Sequence, residues 1–180
     1  MDRIKLLEEQ DPELMQLFLL LQKLKHKLDA GVLEKLERSV PFADLLFDRW
    51  ERAAKLGFGE GTSVYDSSHI FGDVKVGKNT WIGPFTILDG TGGLTIGNNC
   101  SISASVQIYT HDSVAWAVSG GKDKYEYAAT SIGNNCYIAP GCVIAMGVHI
   151  GDGSIVGANS FVNQSFPAGS KIGGTPARLL

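Results

Sequence analysis

Read in steps of six from Ile132, the chain returns an aliphatic residue each time: Ile132, Ile138, Ile144, Ile150, Val156 and Val162. The residues that follow them are small or compact, namely Gly133, Ala139, Ala145, Gly151, Gly157 and Asn163. Two residues before each aliphatic stand Thr130, Cys136, Cys142, Val148, Ser154 and Ser160. A strand turns successive side chains to opposite faces. The aliphatic and the residue two before it therefore face inward, the residue between them faces out, and the small residue allows a tight corner. Each unit of six is one short strand plus one turn, and stacked coils bury a continuous aliphatic column. An earlier array reads Val64, Ile70, Val76, Ile82, Leu88 and resumes two residues late as Ile96, Ile102, Ile108. The slip falls at Thr91-Gly92-Gly93 and is expected to be a small insertion at a corner.

The outward positions of the later array are Ser131, Tyr137, Val143, His149, Ile155 and Phe161. With three units to a coil, Tyr137 stacks on Ile155 and Val143 on Phe161. Two outer faces are then apolar, and such patches call for cover by the helices, by another subunit, or by both.

The first part of the chain has a different period. Asp11-Pro12 reads as an N-cap followed by Pro at the first helical position. Leu14, Leu17, Phe18, Leu21, Leu24 and Leu28 follow at helical spacing, and Gly31 is the expected end. A second helical stripe starts at Pro41 with Phe42, Leu45, Leu46, Trp50, Ala53 and Leu56, and Gly57 is its natural stop. The basic run Lys23, Lys25, His26, Lys27 reads as a solvated face. The expected fold is therefore mainly β, a parallel β-helix over 58–180 with an excursion loop at about 109–129, preceded by a helical segment over 1–57.

Composition sharpens this division. Of 22 glycines in 180 residues, all but Gly31 lie at or after Gly57, where ordinary proteins average about 7% glycine. The net charge of −3 gives no electrostatic footprint for nucleic acid. Asp2, Glu8, Glu9, Asp11 and Glu13 precede the apolar run where a secretory signal carries positive charge, and the run from Leu14 to Leu21 is too short to span a bilayer. Cys100, Cys136 and Cys142 lack metal-site spacing and fall on inward positions, as small core residues do. An odd number of free thiols suits a reducing compartment, so the expected location is the cytoplasm.

Three stretches carry a family resemblance: Ile132-Gly133-Asn134-Asn135-Cys136-Tyr137-Ile138, Val148-His149-Ile150-Gly151-Asp152-Gly153, and Ile172-Gly173-Gly174-Thr175-Pro176-Ala177-Arg178. They resemble the hexapeptide acyltransferase superfamily, and within it the sugar O-acetyltransferases of the maltose and galactoside type and their polysaccharide-modifying relatives. The resemblance covers roughly 64–180. It implies a left-handed coil, a homotrimer with active sites between neighbouring subunits, and direct transfer of acetyl from acetyl-CoA to a saccharide-type acceptor. No metal and no nucleic acid are implied.

The regular array stops after Ile108, and Tyr109-Thr110-His111-Asp112 follows before an irregular stretch to about Ala129. Loops on a rigid scaffold are good sites for function. The family carries its catalytic histidine where the chain leaves the coil, and His111 matches that place. An imidazole can take the acceptor hydroxyl's proton as it attacks the thioester. Asp112 and Glu126 are each candidates to orient His111 and, with Trp116, to contact the acceptor. Lys122, Lys124, Tyr125 and Tyr127 complete a loop suited either to a sugar or to a neighbouring subunit. Asp89, before Gly90, is either an acceptor contact, as the resemblance implies, or a turn-forming Asp. Relatives have asparagine just before this segment, whereas Gly83-Pro84-Phe85 stands here.

The resemblance also implies that pantetheine lies along the late coils at Ala139, Ala145, Gly157 and Ala158, with Lys171 and Arg178 meeting the CoA phosphates. Gln164 departs from the lysine that relatives often carry. His69 and His149 fall on outward strand positions and are read as packing residues. Competing readings are an N-acetyltransferase of a nucleotide-linked amino sugar, which needs no histidine base, and a non-catalytic β-helix scaffold. A zinc carbonic anhydrase of this fold would need paired histidines a few residues apart, and this chain has none.

Overall fold

The computed structural model describes residues 12–180, which form two compact units, one ending at Asp48 and the other running from Arg49 to Leu180. The N-cap expected at Asp11 lies outside the described residues. In the first unit, α1 (Pro12–Leu36) is one continuous helix. It does not stop at Gly31. A helical glycine costs only about 1 kcal/mol, and Leu24, Leu28, Val32 and Leu36 carry the apolar spacing past it. The helix ends at Glu37, whose φ of 52° is left-handed and whose N–H bonds to the Leu33 carbonyl. The second helical stripe is also divided. α2 (Phe42–Leu46) ends at Phe47, which is extended, and α3 (Arg49–Lys55) begins after Asp48, a favoured N-cap residue.

The second unit starts with α3, so its boundary lies before Gly57, where the composition changes. Arg52 of α3 donates to the carbonyls of Tyr65 and Ser68, and Ala53 is buried. Gly57 closes the helix as expected: its φ is 73°, its N–H bonds to Ala54, and the N–H of Phe58 bonds to Ala53.

Beyond it the chain winds into a parallel β-helix of about six coils. Three columns of inward residues run through it. The first is Val64, Ile82, Ile102, Ile138, Val156, Ile172, each in register with the next. The second is Ile70, Leu88, Ile108, Ile144, Val162. The third is Val76, Ile96, Ile132, Ile150, Phe166. The expected outward stacks of Tyr137 on Ile155 and Val143 on Phe161 are present. Tyr137 and Ile155 are each 44% exposed.

Two constraints shape the corners. At one corner Asn79, Asn99 and Asn135 hold φ of 53°, 55° and 56°. Asparagine tolerates this left-handed conformation far better than most side chains. Each directly precedes an inward small residue: Thr80, Cys100 and Cys136. The small residue after the aliphatic is needed because the next coil presses on it: a Cβ at Gly97 would lie 2.7 Å from the backbone N of Asn134. All three thiols are buried and free, with Cys100 Sγ donating to the Gly133 carbonyl and Cys142 Sγ to that of Gly157.

The register breaks three times, the last where the final coil is two residues short and sets Phe166 on Ile150 and Ile172 on Val156. A bulge between Gly72 and Val74 faces the Thr91-Gly92-Gly93 insertion on the next coil. The excursion after Ile108 returns at Thr130. At the far end the last parallel strand, Lys171–Gly174, is met by an antiparallel one, Ala177–Leu179.

Candidate active site

His111 opens the excursion loop, on a short strand (His111–Asp112) paired antiparallel with Glu126–Tyr127. Between the two arms sits α4 (Val114–Val118), where the N–H of Val114 bonds to Asp112 Oδ1. The His111 ring lies beside two aromatic rings of the returning arm. Tyr125 is nearly parallel to it at 6.2 Å and Tyr127 is stacked at 5.9 Å. Trp116 meets Tyr125 edge-on at 5.7 Å. The imidazole is thus held between an aromatic arm and the coil, with its side chain 32% exposed.

On the coil side its partner is Asp89. His111 Nδ1 lies 2.7 Å from Asp89 Oδ2. The carboxylate is buried, 2% exposed, and both oxygens are occupied. Oδ2 also accepts from the Thr110 N–H at 2.8 Å and its hydroxyl at 3.0 Å. Oδ1 accepts from the Thr91 N–H at 3.0 Å and its hydroxyl at 2.7 Å. Burial alone would raise the Asp89 pKa. The donors from Thr110, Thr91 and His111 outweigh it and hold the carboxyl well below the usual range. Asp89 is therefore an anion at neutral pH, aimed at one nitrogen of one imidazole.

This arrangement revises three expectations. Asp89 does not face outward to an acceptor, because every lone-pair direction of its buried carboxylate is taken by the protein. Neither is it merely a turn former, although Thr91 does close an Asx turn on it. Asp112 and Glu126 do not orient His111: Asp112 caps the start of α4, and Glu126 is exposed on the opposite strand. The signal for Asp89 was present in the register. Once the two inserted residues are counted, Leu88 lies beneath Ile108, which places Asp89 beside Tyr109 and within reach of His111. Thr91 and Thr110 escaped notice because both lie at corners, where threonine is unremarkable.

The remaining candidates divide by edge. Ala145 lies at the roots of the loop, where Tyr109 N–H bonds to the neighbouring Ile144 carbonyl. Ala139, Gly157 and Ala158 lie on a different edge, after the first column. Lys171 and Arg178 lie on opposite strands of the terminal antiparallel pair, Arg178 opposite Gly173, and both are exposed. His149 does face outward, with Nδ1 2.8 Å from Ser131 Oγ. A groove of about 720 Å³ runs past it, along Thr95, Ser165 and Phe166, and neither His111 nor Asp89 lines it. The imidazole held by a buried carboxylate is that of His111. Among the described residues no group of three metal-ligating side chains converges.

Comparison with known proteins gives a consistent picture. Residues 129–164 match the family described as bacterial transferase hexapeptide (six repeats). The chain is 30% identical over 128 residues to the putative colanic acid biosynthesis acetyltransferase WcaF of Escherichia coli (strain K12), spanning 62% of this chain and 70% of that protein. It is 33% identical over 110 residues to galactoside O-acetyltransferase of the same strain, spanning 60% of this chain and 53% of that one. Among solved structures, AntD, an N-acyltransferase from Bacillus cereus in complex with dTDP and 3-hydroxybutyryl-CoA, shares the fold with a TM-score of 0.60 at 19% identity, over 74% of this chain and 89% of that chain.

Proposed function

This chain belongs to the hexapeptide-repeat acetyltransferases, and from that premise we propose that it moves the acetyl group of acetyl-CoA directly onto a hydroxyl of a sugar or saccharide, with His111 as general base. The observation that carries this reading is the His111–Asp89 pair. A sugar hydroxyl is too weak an acid to attack a thioester unaided, and a positioned imidazole supplies the missing base. With Nδ1 bound to Asp89, Nε2 is left to receive the hydroxyl proton as oxygen bonds to the thioester carbon. Collapse of the tetrahedral intermediate breaks the carbon–sulfur bond, and the imidazolium returns its proton to the departing thiolate. The buried carboxylate stabilises the imidazolium between these two steps.

The acceptor class rests on the names of WcaF and galactoside O-acetyltransferase, both sugar-directed, and on the aromatic arm of Trp116, Tyr125 and Tyr127. Rings of this kind stack on the apolar faces of pyranoses. Surface-polysaccharide modification is the corresponding process. Ala139, Gly157 and Ala158 are proposed to meet the pantetheine arm, with Ala145 at the loop roots, and Lys171 and Arg178 to meet the CoA phosphates. Their separation from His111 along the coil edges fits a site completed by a second subunit. The exposed rungs Tyr137, Ile155 and Phe161 supply apolar surface for a trimer.

AntD keeps one rival reading in view: transfer to an amine, which is already nucleophilic and has little use for a base. Replacement of His111 separates the two. His111→Ala is expected to lower kcat by roughly 10²–10⁴ while leaving KM for acetyl-CoA nearly unchanged. Near-normal turnover would remove His111 from the reaction and favour the amine. Calorimetry of acetyl-CoA binding, wild type beside Lys171→Ala/Arg178→Ala, tests the co-substrate, and an absence of binding to the wild type would overturn the reading altogether.

A further inference from the structure

The two-residue insertion that breaks the register of the coil lies against the proposed base. Thr91, its first residue, places its hydroxyl oxygen 3.0 Å from His111 Nδ1 and 2.7 Å from Asp89 Oδ1. A threonine hydroxyl has one proton to give. An ionised carboxylate only accepts, so that proton goes to Asp89 Oδ1, where the contact is also the shorter. Thr91 Oγ1 is then left facing Nδ1 with a lone pair. The second carboxylate oxygen faces the same nitrogen. Two acceptors and no donor surround Nδ1.

We propose that Thr91 is a positioning residue that supports the His111 tautomer set by Asp89, acting as a second acceptor for Nδ1–H so that Nε2 is the bare, proton-accepting nitrogen. The inference rests on the reading of His111 as base and adds to it the origin of its protonation pattern. The direction of the Thr91 hydroxyl is set by Asp89. Without that carboxylate, the same hydroxyl can rotate and donate to Nδ1, which places the proton on Nε2 and blocks the base. Thr91 therefore changes sign with Asp89: it helps when the carboxylate is present and harms when it is absent.

The insertion is built to hold this contact. Gly92 N–H donates to Thr110 Oγ1 at 2.8 Å, and Thr110 in turn donates its own N–H to Asp89. A Cβ at Gly92 would lie 2.3 Å from the Thr110 carbonyl oxygen, so only glycine lets the insertion press this close. An uninterrupted six-residue repeat would carry Asp89 into the next turn without Thr91 folded back over it.

The test is a set of variants read by kinetics and by ¹⁵N NMR of imidazole-labelled, full-length protein. Thr91→Val is expected to lower kcat roughly 3–10-fold, the worth of one modest hydrogen bond, with KM for acetyl-CoA unchanged. Thr91→Ser, which restores the hydroxyl, should recover most of it. The decisive comparison is Asp89→Ala against Asp89→Ala/Thr91→Val, both confirmed folded by circular dichroism. The double variant should turn over faster than the single one, by roughly threefold or more, because the misdirected donor is gone. NMR should show the His111 proton on Nδ1 in the wild type, on Nε2 in Asp89→Ala, and a mixture of the two in Asp89→Ala/Thr91→Val. A double variant slower than Asp89→Ala, or a His111 still protonated on Nδ1 in Asp89→Ala, would overturn the proposal. The NMR result stands apart from turnover, so a His111→Ala enzyme that remains active would sink the base reading while leaving the tautomer measurement to be judged alone.

Discussion

The coils from Thr130 to Ile172 and the corner from Asp89 to Gly93 are built from the same repeat and do opposite work. In the late coils every inward residue sits on an equivalent residue one turn away, and no buried charge interrupts the columns. At the corner two extra residues break the stacking and a carboxylate is buried. Regular stacking buries the aliphatic columns. The proposed base and its carboxylate lie where the repeat fails, and there side chains from non-equivalent positions converge.

That contrast can be attacked from either side. The largest effect is expected in the regular region. Ile144→Ala removes a fully buried side chain from the second column and should destabilise by about 2–5 kcal/mol. Activity per folded molecule should survive, as denaturation and kinetics on the same sample would reveal. Loss of specific activity in the folded fraction would mean that the late coils tune the site as well as support it. A smaller change in the irregular region should do the reverse. Gly92→Ala adds one methyl group and should cost roughly 10–100-fold in kcat by displacing the insertion, with a lesser loss of thermal stability. A merely unstable but fully active Gly92→Ala protein would make the insertion structural.

The smallest effect separates the regions by pH. The folded-state pKa of Asp89 is depressed, so its contribution to stability is fully present above the unfolded carboxyl value of about 4. It is lost as pH falls from there toward the lower folded-state value. The Tm gap between wild type and Asp89→Asn should be constant near neutrality and narrow below about pH 4. The corresponding curves for Ile144→Ala should run parallel throughout. A constant gap for Asp89→Asn down to pH 2 would remove the anion from the stability of the corner.

The legibility of the chain follows the same division. A period of six displayed the aliphatic columns as far as Val162 and the outward stacks of Tyr137 and Val143, but not their ends at Phe166 and Ile172, which fall two residues early. The partner of His111 was harder to see. Asp89 lies 22 residues earlier, across a slip whose length must be added before the two align, whereas Asp112 adjoins His111 in sequence and Glu126 lies on the same loop. In the helical segment, local preference marks Gly31 as a stop, and the apolar spacing that continues to Leu36 overrides it. Repetition makes contacts predictable, and each departure from it hides one.

A stack of parallel rungs has no natural end, since its last strand offers unpaired backbone groups to any strand that arrives, including one from another copy. The antiparallel return of Ala177–Leu179 answers that hazard. The strand runs against the direction that growth would require, and the N–H of Leu180 closes onto the Lys171 carbonyl. At the opposite end α3 lies against the first coil through Arg52 and Ala53. The coil is thus a fibre-forming architecture stopped at both ends, and trimming the last few residues would expose a template for aggregation.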